Sequence, residues 1–532
     1  MRITPWRTGP GTAFWSAALV ARVRSWWSVR GRGARTRIGP GRRALGCLHS
    51  PLRWVLAGIG LAFTFPPSPL GWLAPVWLAL LFRAAATATP RQAMRLTWLF
   101  AVGLFGALLS WLPLSLAGTV GPAIVALYPL LVGLLAAMWA LTAWLTRRLA
   151  GRLSLGAFPM AWAALEVARS WGPFGFTWGS LGYTLAQTPL VQVAELGGIS
   201  LLGLLVGIAA SALASRNRWM CGAALLLWGA ALVFGVTRPG SPAGTQTALL
   251  VQGNVDPREK LAGQADADWQ RYLRLTWRGL QRGAADLVLW PETAVTWATR
   301  PAALAQVPVP VLLGAAVTQA GQPFNSALLS LRGVVAGRYD KIRLVPFGEF
   351  FPGRRALNRV YQQVFSALGL PDLQGLTPGR AALTVGTGAL RVGVLICYES
   401  TFPALARALV RDGANVLVTP SNDAWFGASQ GAEQHFQMGR VRAIETRRWW
   451  LRVGNDGISA AVSPSGAVTV RAARFTAQAV PVTFTLQSGQ TLAVRWGDAV
   501  PAGVALGWLL GTVVLRRRPG GEGGPSAGEG IE

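Results

Sequence analysis

Glu292, Lys341 and Cys397 bring together a carboxylate, an ammonium and a thiol, a set with complementary chemistry. Glu292 follows Leu287-Val288-Leu289-Trp290-Pro291, at the carboxyl end of an expected strand. Cys397 follows Val392-Gly393-Val394-Leu395-Ile396, again at a strand's carboxyl end, and Lys341 falls in a loop between the two. Open α/β sheets place their ligands at that edge. There the carboxylate can take the thiol proton and the thiolate can attack an acyl carbon. The ammonium can then stabilise the negative charge that develops on the tetrahedral oxygen.

The lysine stands out against the rest of the composition. Of fifty basic residues in the 532-residue chain, only Lys260 and Lys341 are lysines. Arginine is a permanently charged planar fork, whereas lysine is a compact point charge with rotatable donors. A lysine kept in such a chain points to a task that guanidinium cannot perform.

Cys397 read alone is equally a small buried hydrophobe, as cysteines often are. The other two cysteines, Cys47 and Cys221, fall in a leading segment and in an apolar run. Cys397 therefore has no expected disulfide partner, and an unpaired thiol is a candidate for reactivity. A Cys/His pairing would use His435. That residue lies in an expected helix beside Gln434 and Gln437, where a hydrogen-bonded structural role is the alternative. Three cysteines and two histidines at these spacings form no metal-ligand cluster, so no metal is expected, and attack of a thiolate on an acyl carbon requires no cofactor.

The elements around these residues read as an α/β domain spanning 244–488. Strands are expected at Thr247–Gln252, Asp286–Trp290, Val311–Ala315, Ser326–Leu331, Leu390–Ile396, Val416–Pro420 and Leu451–Asn455. Helices are expected at Asp266–Arg282, Phe402–Arg411 and Gln430–Arg448. Strands alternating with helices in this way imply a largely buried sheet.

The flanks are of another kind. Overall, 52% of residues are hydrophobic, 13% are charged and 25 are tryptophan. Apolar runs lie near 53–67, 70–87, 93–116, 121–146, 158–178, 194–214 and 218–236, with a last one in 496–516. Each approximates the ~20 residues a helix needs to cross hydrocarbon. The sequence thus predicts a multi-pass α-helical bundle of about eight spans with an α/β domain inserted before the last. The net charge of +29 would suggest nucleic acid, but the arginines cluster in the leading segment and in short loops between apolar runs. That distribution is one of membrane orientation, so no nucleic-acid partner is expected. Arg42, Arg43 and Arg53 precede the first run, Arg83, Arg91 and Arg95 follow the second, and Arg147, Arg148 and Arg152 follow the fourth. Arg216 and Arg218 follow the sixth, and Arg516 to Arg518 the last. The positive-inside rule then makes 1–52 an Arg-rich cytoplasmic extension, 53–240 seven spans and 244–488 an extracytoplasmic domain. Residues 496–516 become the last span and 517–532 a Gly-rich cytoplasmic tail. Glu166, Arg169 and Glu195 lie in or at the edge of apolar runs. Charges at membrane depth are functional candidates, with a buried pair or an interfacial position as the structural alternative.

Several segments together resemble the nitrilase superfamily, and with spans on both sides they resemble its membrane-embedded apolipoprotein N-acyltransferase branch. The segments are Leu250-Val251-Gln252-Gly253-Asn254, Trp290-Pro291-Glu292, Leu344-Val345-Pro346-Phe347-Gly348-Glu349 and Ile396-Cys397-Tyr398-Glu399. Ser421-Asn422-Asp423-Ala424-Trp425-Phe426-Gly427 with Gln434-His435-Phe436-Gln437-Met438 is the most specific string. The resemblance covers about 53–515. It implies an α-β-β-α sandwich in which Glu292 is the general base, Lys341 the oxyanion-stabilising lysine and Cys397 the nucleophile. Glu349, Tyr398, Glu399 and Asn325 match supporting or substrate-binding positions. Leu261 departs from the pattern, which often has tryptophan there. The resemblance further implies a bacterial cytoplasmic-membrane enzyme with its catalytic domain facing the periplasm or cell exterior. The implied partners are a phospholipid acyl donor, membrane lipid and a diacylated apolipoprotein acceptor, the acyl chain passing through a Cys397 thioester. Two other readings are a membrane-tethered amidase acting on a small polar amide and a transporter carrying a degenerate nitrilase-like domain.

Overall fold

The computed structural model describes residues 50–514, apart from 114, 116–123, 241–243, 257–264, 298–300, 368–374, 500–501, 505, 508–509 and 512–513. The Arg-rich extension with Cys47 and His49, the pair Lys260 and Leu261, and the Gly-rich tail lie outside the described residues.

The first half is helical: α1 Pro51–Ala62, α2 Ala74–Thr87, α3 Pro90–Leu108, α4 Ile124–Ala150, α5 Ser154–Arg169, α6 Ala194–Ser215 and α7 Arg218–Val236. Local chemistry sets several of the boundaries. Thr89 and Gln92 form a capping box around Pro90, so α3 starts three residues before the expected run. Asn217 accepts from the N–H groups of Trp219 and Met220 and starts α7. Among the described residues, four helical segments are long and apolar enough to cross a membrane: Leu70–Thr87, Leu127–Arg169, Pro189–Ser215 and Arg218–Val236. The second of these holds α4 and α5, joined by a tight turn at Gly151–Leu153. The apolar window of α6 is 78% buried within the protein and that of α7 only 11%, so α6 is the central helix and α7 a peripheral one. Trp219, Leu225, Leu226, Val233 and Val236 on α7 face outward, as lipid-facing residues would.

The expected fifth run at 158–178 needs correction, because α5 ends at Arg169. Gly172-Pro173, Gly175 and Gly179 disfavour a helix beyond it. The apolar residues there serve a folded loop, in which Trp178, Leu181, Tyr183, Leu185 and Leu190 are buried. The charges at 166 and 169 tie this loop down. Glu166 accepts from the Leu181 N–H at 2.6 Å, and Arg169 donates to the Trp178 carbonyl at 2.9 Å. Both residues are buried, and these hydrogen bonds match the structural alternative. Glu195 is likewise ion-paired, to Arg447 and Arg238.

The second half is a two-sheet sandwich. One sheet contains β1 Gln246–Gln252, β2 Leu287–Leu289, β3 Val295–Thr296, β4 Val311–Gln319, β5 Gln322–Leu331, β6 Val334–Asp340 and β13 Gln478–Phe484, in the order β13-β1-β2-β4-β5-β6 with β3 paired to β4. The other contains β7 Val385–Thr387, β8 Leu390–Val394, β9 Val416–Ser421, β10 Trp450–Gly454, β11 Ala460–Val462 and β12 Val468–Arg471, in the order β12-β11-β10-β9-β8-β7. Alternation along β1 separates the two faces of the first sheet. Ala248 and Leu250 point into the core shared with the second sheet, while Leu249 and Val251 pack outward under Trp269 and Tyr272 of α8 (Ala265–Leu280). Helices α10 (Pro403–Arg411) and α11 (Gly431–Thr446) pack against the second sheet through Ala406, Leu409, Phe436 and Ile444. The layers therefore run helix, sheet, sheet, helix. All seven expected strands and three expected helices are present, with boundaries shifted by up to four residues. The structure adds β3, β6, β7 and β11 to β13, as well as α9 (Arg354–Ala367).

Polar contacts join the sandwich to the helical bundle. The indole N–H groups of Trp111 and Trp178 both donate to Gln434 Oε1 at 3.1 Å, and the Gln434 amide donates to the Leu108 carbonyl at 3.3 Å. Arg407 and Arg442 flank Glu445 at 2.6 and 2.7 Å, Arg407 also pairs with Asp498, and Arg442 donates to the Tyr183 hydroxyl at 3.2 Å. Gly198, at φ +66°, lies against this cluster. A Cβ there would come within 2.7 Å of Glu445 Oε1, so the helix passes the ion pairs only as glycine. Such buried pairs add little net stability, but losing one partner strands the other and costs about 3–5 kcal/mol.

Candidate active site

Topology brings three remote residues to one edge. Strands β1, β2 and β4 are parallel, and β4, β5 and β6 are successively antiparallel, so β6 runs in the same direction as β2. Glu292 just after β2 and Lys341 just after β6 therefore emerge on the same side. Strands β8, β9 and β10 are parallel in the facing sheet, and Cys397 emerges just beyond β8.

The three groups meet. Lys341 Nζ donates to Glu292 Oε1 at 2.9 Å and to Glu349 Oε1 at 2.6 Å. Glu292 Oε1 also accepts from Asn325 at 2.8 Å, its Oε2 accepts from the Asn422 N–H at 3.0 Å, and its charge acts on the nearby Cys397 thiol. Gly314 on β4 lets the Glu292 backbone approach, since a Cβ there would lie 2.1 Å from the Pro291 carbonyl and 2.6 Å from Glu292 Cα. The backbone is left-handed at Thr293 (φ +44°) and at Cys397 (φ +50°). For a non-glycine residue this costs on the order of 1–3 kcal/mol, and it persists only where surrounding contacts enforce it.

The electrostatics follow from burial and from these neighbours. Burial alone would raise the Glu292 carboxyl, but the adjacent Lys341 ammonium overrides it and holds the pKa below the ordinary carboxylate value. Burial disfavours the Lys341 ammonium, yet Glu292 and Glu349 keep its pKa well above the usual lysine value. The Cys397 thiol is pushed up, first by burial and then by the Glu292 charge, with Lys341 opposing. At neutral pH the site therefore rests as carboxylate, ammonium and thiol.

The supporting residues expected from sequence divide into two groups. Asn325 and Glu349 touch the charged pair directly, and Glu349 also accepts from the Val345 N–H at 2.9 Å. Glu399 ties the loops carrying Lys341 and Cys397 together. It accepts the N–H groups of Ile342 (2.7 Å) and Arg343 (3.0 Å) beside Lys341, that of Ile396 (2.8 Å) beside Cys397, and the Tyr339 hydroxyl (3.0 Å). Burial raises its pKa to about 7 against the pull of those N–H donors. Tyr398 points elsewhere. Its hydroxyl donates to the Gly175 carbonyl at 2.8 Å and its ring stacks on Trp178, so it joins the Cys397 turn to the loop after α5.

His435 does not pair with the thiol. Its Nε2 lies 3.0 Å from the Cys397 carbonyl oxygen and 3.0 Å from Ser400 Oγ, the hydrogen-bonded structural alternative. Sequence reasoning missed Asn422 as a donor to Glu292 and Gly314 as its support. The string containing Asn422 is a visible signal, but its backbone N–H is not. Among the described residues no cluster of three or more ligating side chains could hold a metal ion.

The carbon-nitrogen hydrolase family model matches residues 248–493, the span of the sandwich. The model of the apolipoprotein N-acyltransferase N-terminal domain matches residues 57–212, the helical part. The apolipoprotein N-acyltransferase of Geobacter metallireducens is 33% identical over 508 residues, covering 87% of this chain and 95% of that protein. That of Azotobacter vinelandii is 34% identical over 501 residues, covering 87% and 94%. The chain belongs to the apolipoprotein N-acyltransferase family. An acyltransferase of this family combines a carbon-nitrogen hydrolase sandwich with apolar helices suited to a bacterial membrane. In this member the two parts share the Tyr398–Trp178 stack, one side chain away from Cys397.

Proposed function

We propose that this acyltransferase moves an acyl chain from a membrane phospholipid to the N-terminal amine of a diacylglyceryl-cysteine apolipoprotein through a thioester on Cys397. The observation that carries this reading is the buried Lys341–Glu292 pair at 2.9 Å, whose two charges both act on the Cys397 thiol. In the first step Cys397 Sγ bonds to the ester carbonyl carbon while its proton passes to Glu292. An ammonium has three N–H donors, and two of those on Lys341 are directed at Glu292 and Glu349, leaving one for the tetrahedral oxyanion. Collapse breaks the carbon–oxygen bond, Glu292 returns the proton to the leaving alkoxide, and a lysophospholipid departs. The acceptor amine then attacks the thioester carbon and gives a proton to Glu292; the carbon–sulfur bond breaks, and Glu292 passes that proton to the departing Cys397 thiolate. Asn325, Glu349 and Glu399 position these groups, and Tyr398 fixes the nucleophile turn against the bundle. A lipid substrate fits the apolar rim beside Glu349, where Phe347 is 63% exposed and Leu357 and Val360 of α9 also face outward.

The test supplies purified protein with phospholipid vesicles and a diacylated lipopeptide bearing a free amine. The expected products are a lipopeptide heavier by one acyl chain and an equal amount of lysophospholipid, read by mass spectrometry. Release of ammonia and free acid from a soluble amide, with no lysophospholipid, would establish the amidase reading instead.

The proposed topology has eight spans, with the sandwich at 244–488 on the periplasmic or outer side and both termini cytoplasmic. Among the described residues four helical segments between 51 and 236 are long and apolar enough to cross a membrane; the proposed topology counts seven crossings there, an odd number that puts the sandwich opposite the first arginines. Reporter fusions after Arg152 and Arg216 should read cytoplasmic and fusions within 255–480 external. A cytoplasmic signal from the latter would refute the topology.

A further inference from the structure

We infer that His435 is a positioning residue for the nucleophile: its Nε2–H donates to the Cys397 carbonyl and holds the left-handed backbone that aims the thiol at Glu292. The inference rests on the proposed role of Cys397 and extends it to a residue outside the reacting set.

Three observations support it independently. The Cys397 carbonyl faces two donors, His435 Nε2 at 3.0 Å and Ser400 Oγ at 2.9 Å. Ser400 lies in the same turn, whereas His435 lies on α11, so the imidazole is the contact that anchors the turn from outside. The backbone at Cys397 has φ +50°, a conformation that needs outside enforcement. The imidazole is itself held on its far side. Nδ1 lies 3.2 Å from Arg452 Nη2 and 3.5 Å from Asp423 Oδ1, and Arg452 in turn pairs with Asp423 at 2.6 Å. Phe426 and Trp178 border the ring, and His435, Asp423 and Arg452 are fully buried or nearly so.

The tautomer follows from these partners. A carbonyl only accepts, so Nε2 must carry a proton. Burial and the Arg452 charge hold the ring below the usual histidine pKa, which makes it neutral and leaves Nδ1 bare to accept from Arg452. Asp423 thus acts through Arg452, and the residue before it, Asn422, donates its N–H to Glu292. One short segment after β9 therefore sets both the base and, through His435, the nucleophile's main chain.

The contrast to measure is His435→Gln against His435→Asn. The glutamine amide reaches about as far as Nε2 and can restore the donor, whereas the asparagine amide is one methylene short. Acylation is followed as the burst of p-nitrophenolate from a short p-nitrophenyl ester, so that no phospholipid is required. The Gln variant should burst within about threefold of wild type. The Asn variant should lose about tenfold to a hundredfold in burst rate, since a displacement of about 1 Å can cost that much. The loss should fall on kcat rather than KM, at matched thermal midpoints. Equal losses in both variants, or a wild-type burst in His435→Asn, would overturn the inference. A wild-type enzyme with no burst would remove the nucleophile reading itself and the inference with it. Nitrogen-15 spectra of the wild-type histidines provide a check that needs no variant: a buried neutral ring protonated at Nε2 is expected, and protonation at Nδ1 alone would refute the scheme.

Discussion

Cys397→Ala enzyme given acyl-labelled phospholipid without acceptor will carry no label, while the wild type holds it in a hydroxylamine-sensitive bond on the Cys397 peptide. The expected difference is complete, because the sequence of the sandwich holds no other thiol on which a thioester could form. Cys221 lies in α7, where its thiol donates to the Ala212 carbonyl. The labelled wild type should discharge onto a diacylated lipopeptide with a free amino terminus, and the two-substrate kinetics should be ping-pong. Cys47→Ala and Cys221→Ala should label and transfer normally. Label that persists in Cys397→Ala would end the thioester mechanism.

Lys341→Arg is expected to lose about 10²–10³ in kcat while folding normally, as loss of one oxyanion donor does. The substitution keeps the charge but not the shape. Lys341 is 1% exposed and fits its Nζ between two carboxylates at 2.6 and 2.9 Å. A planar guanidinium can satisfy both carboxylates in a fork but cannot also turn a donor toward a third oxygen. Single-turnover acylation is the informative measurement, since it isolates the step in which the first oxyanion forms. Near-normal acylation by Lys341→Arg would show that the ammonium serves only to hold Glu292 and Glu349 in place.

The site was more legible in the sequence than its frame was. Glu292 and Cys397 could be placed because each follows a run of buried β-branched and leucine residues, a local signal. Lys341 was found by the rarity of its type, and the β6 strand that delivers it was not seen. Val334–Asp340 is half exposed and holds its place through pairing with β5, a contact remote in sequence. The same applies to β13, which pairs with β1 across more than two hundred residues and contains Pro481. The loop after α5 misled hydropathy for a different reason. Burial against another domain and burial in lipid select the same apolar side chains, and only the helix-breaking glycines and proline distinguish them. Glu399 was expected as a supporting residue by resemblance, yet its bridge from the Lys341 loop to the Cys397 turn depends on backbone N–H groups that no side-chain pattern records.

The raised proton affinity of Cys397 also bears on how long the enzyme survives. Thiolates are the form that oxidants consume and that attacks disulfides, and a thiol that keeps its proton reacts slowly with both. In the proposed mechanism the carboxylate that accepts the proton during turnover is the same group whose charge opposes releasing it at rest. Under the proposed topology the sandwich works in an oxidising compartment with no second cysteine in reach to repair or protect the first. An activated resting thiolate would be consumed there between turnovers, whereas a thiol ionised only against a bound acyl carbonyl gives up some intrinsic reactivity for a longer working life.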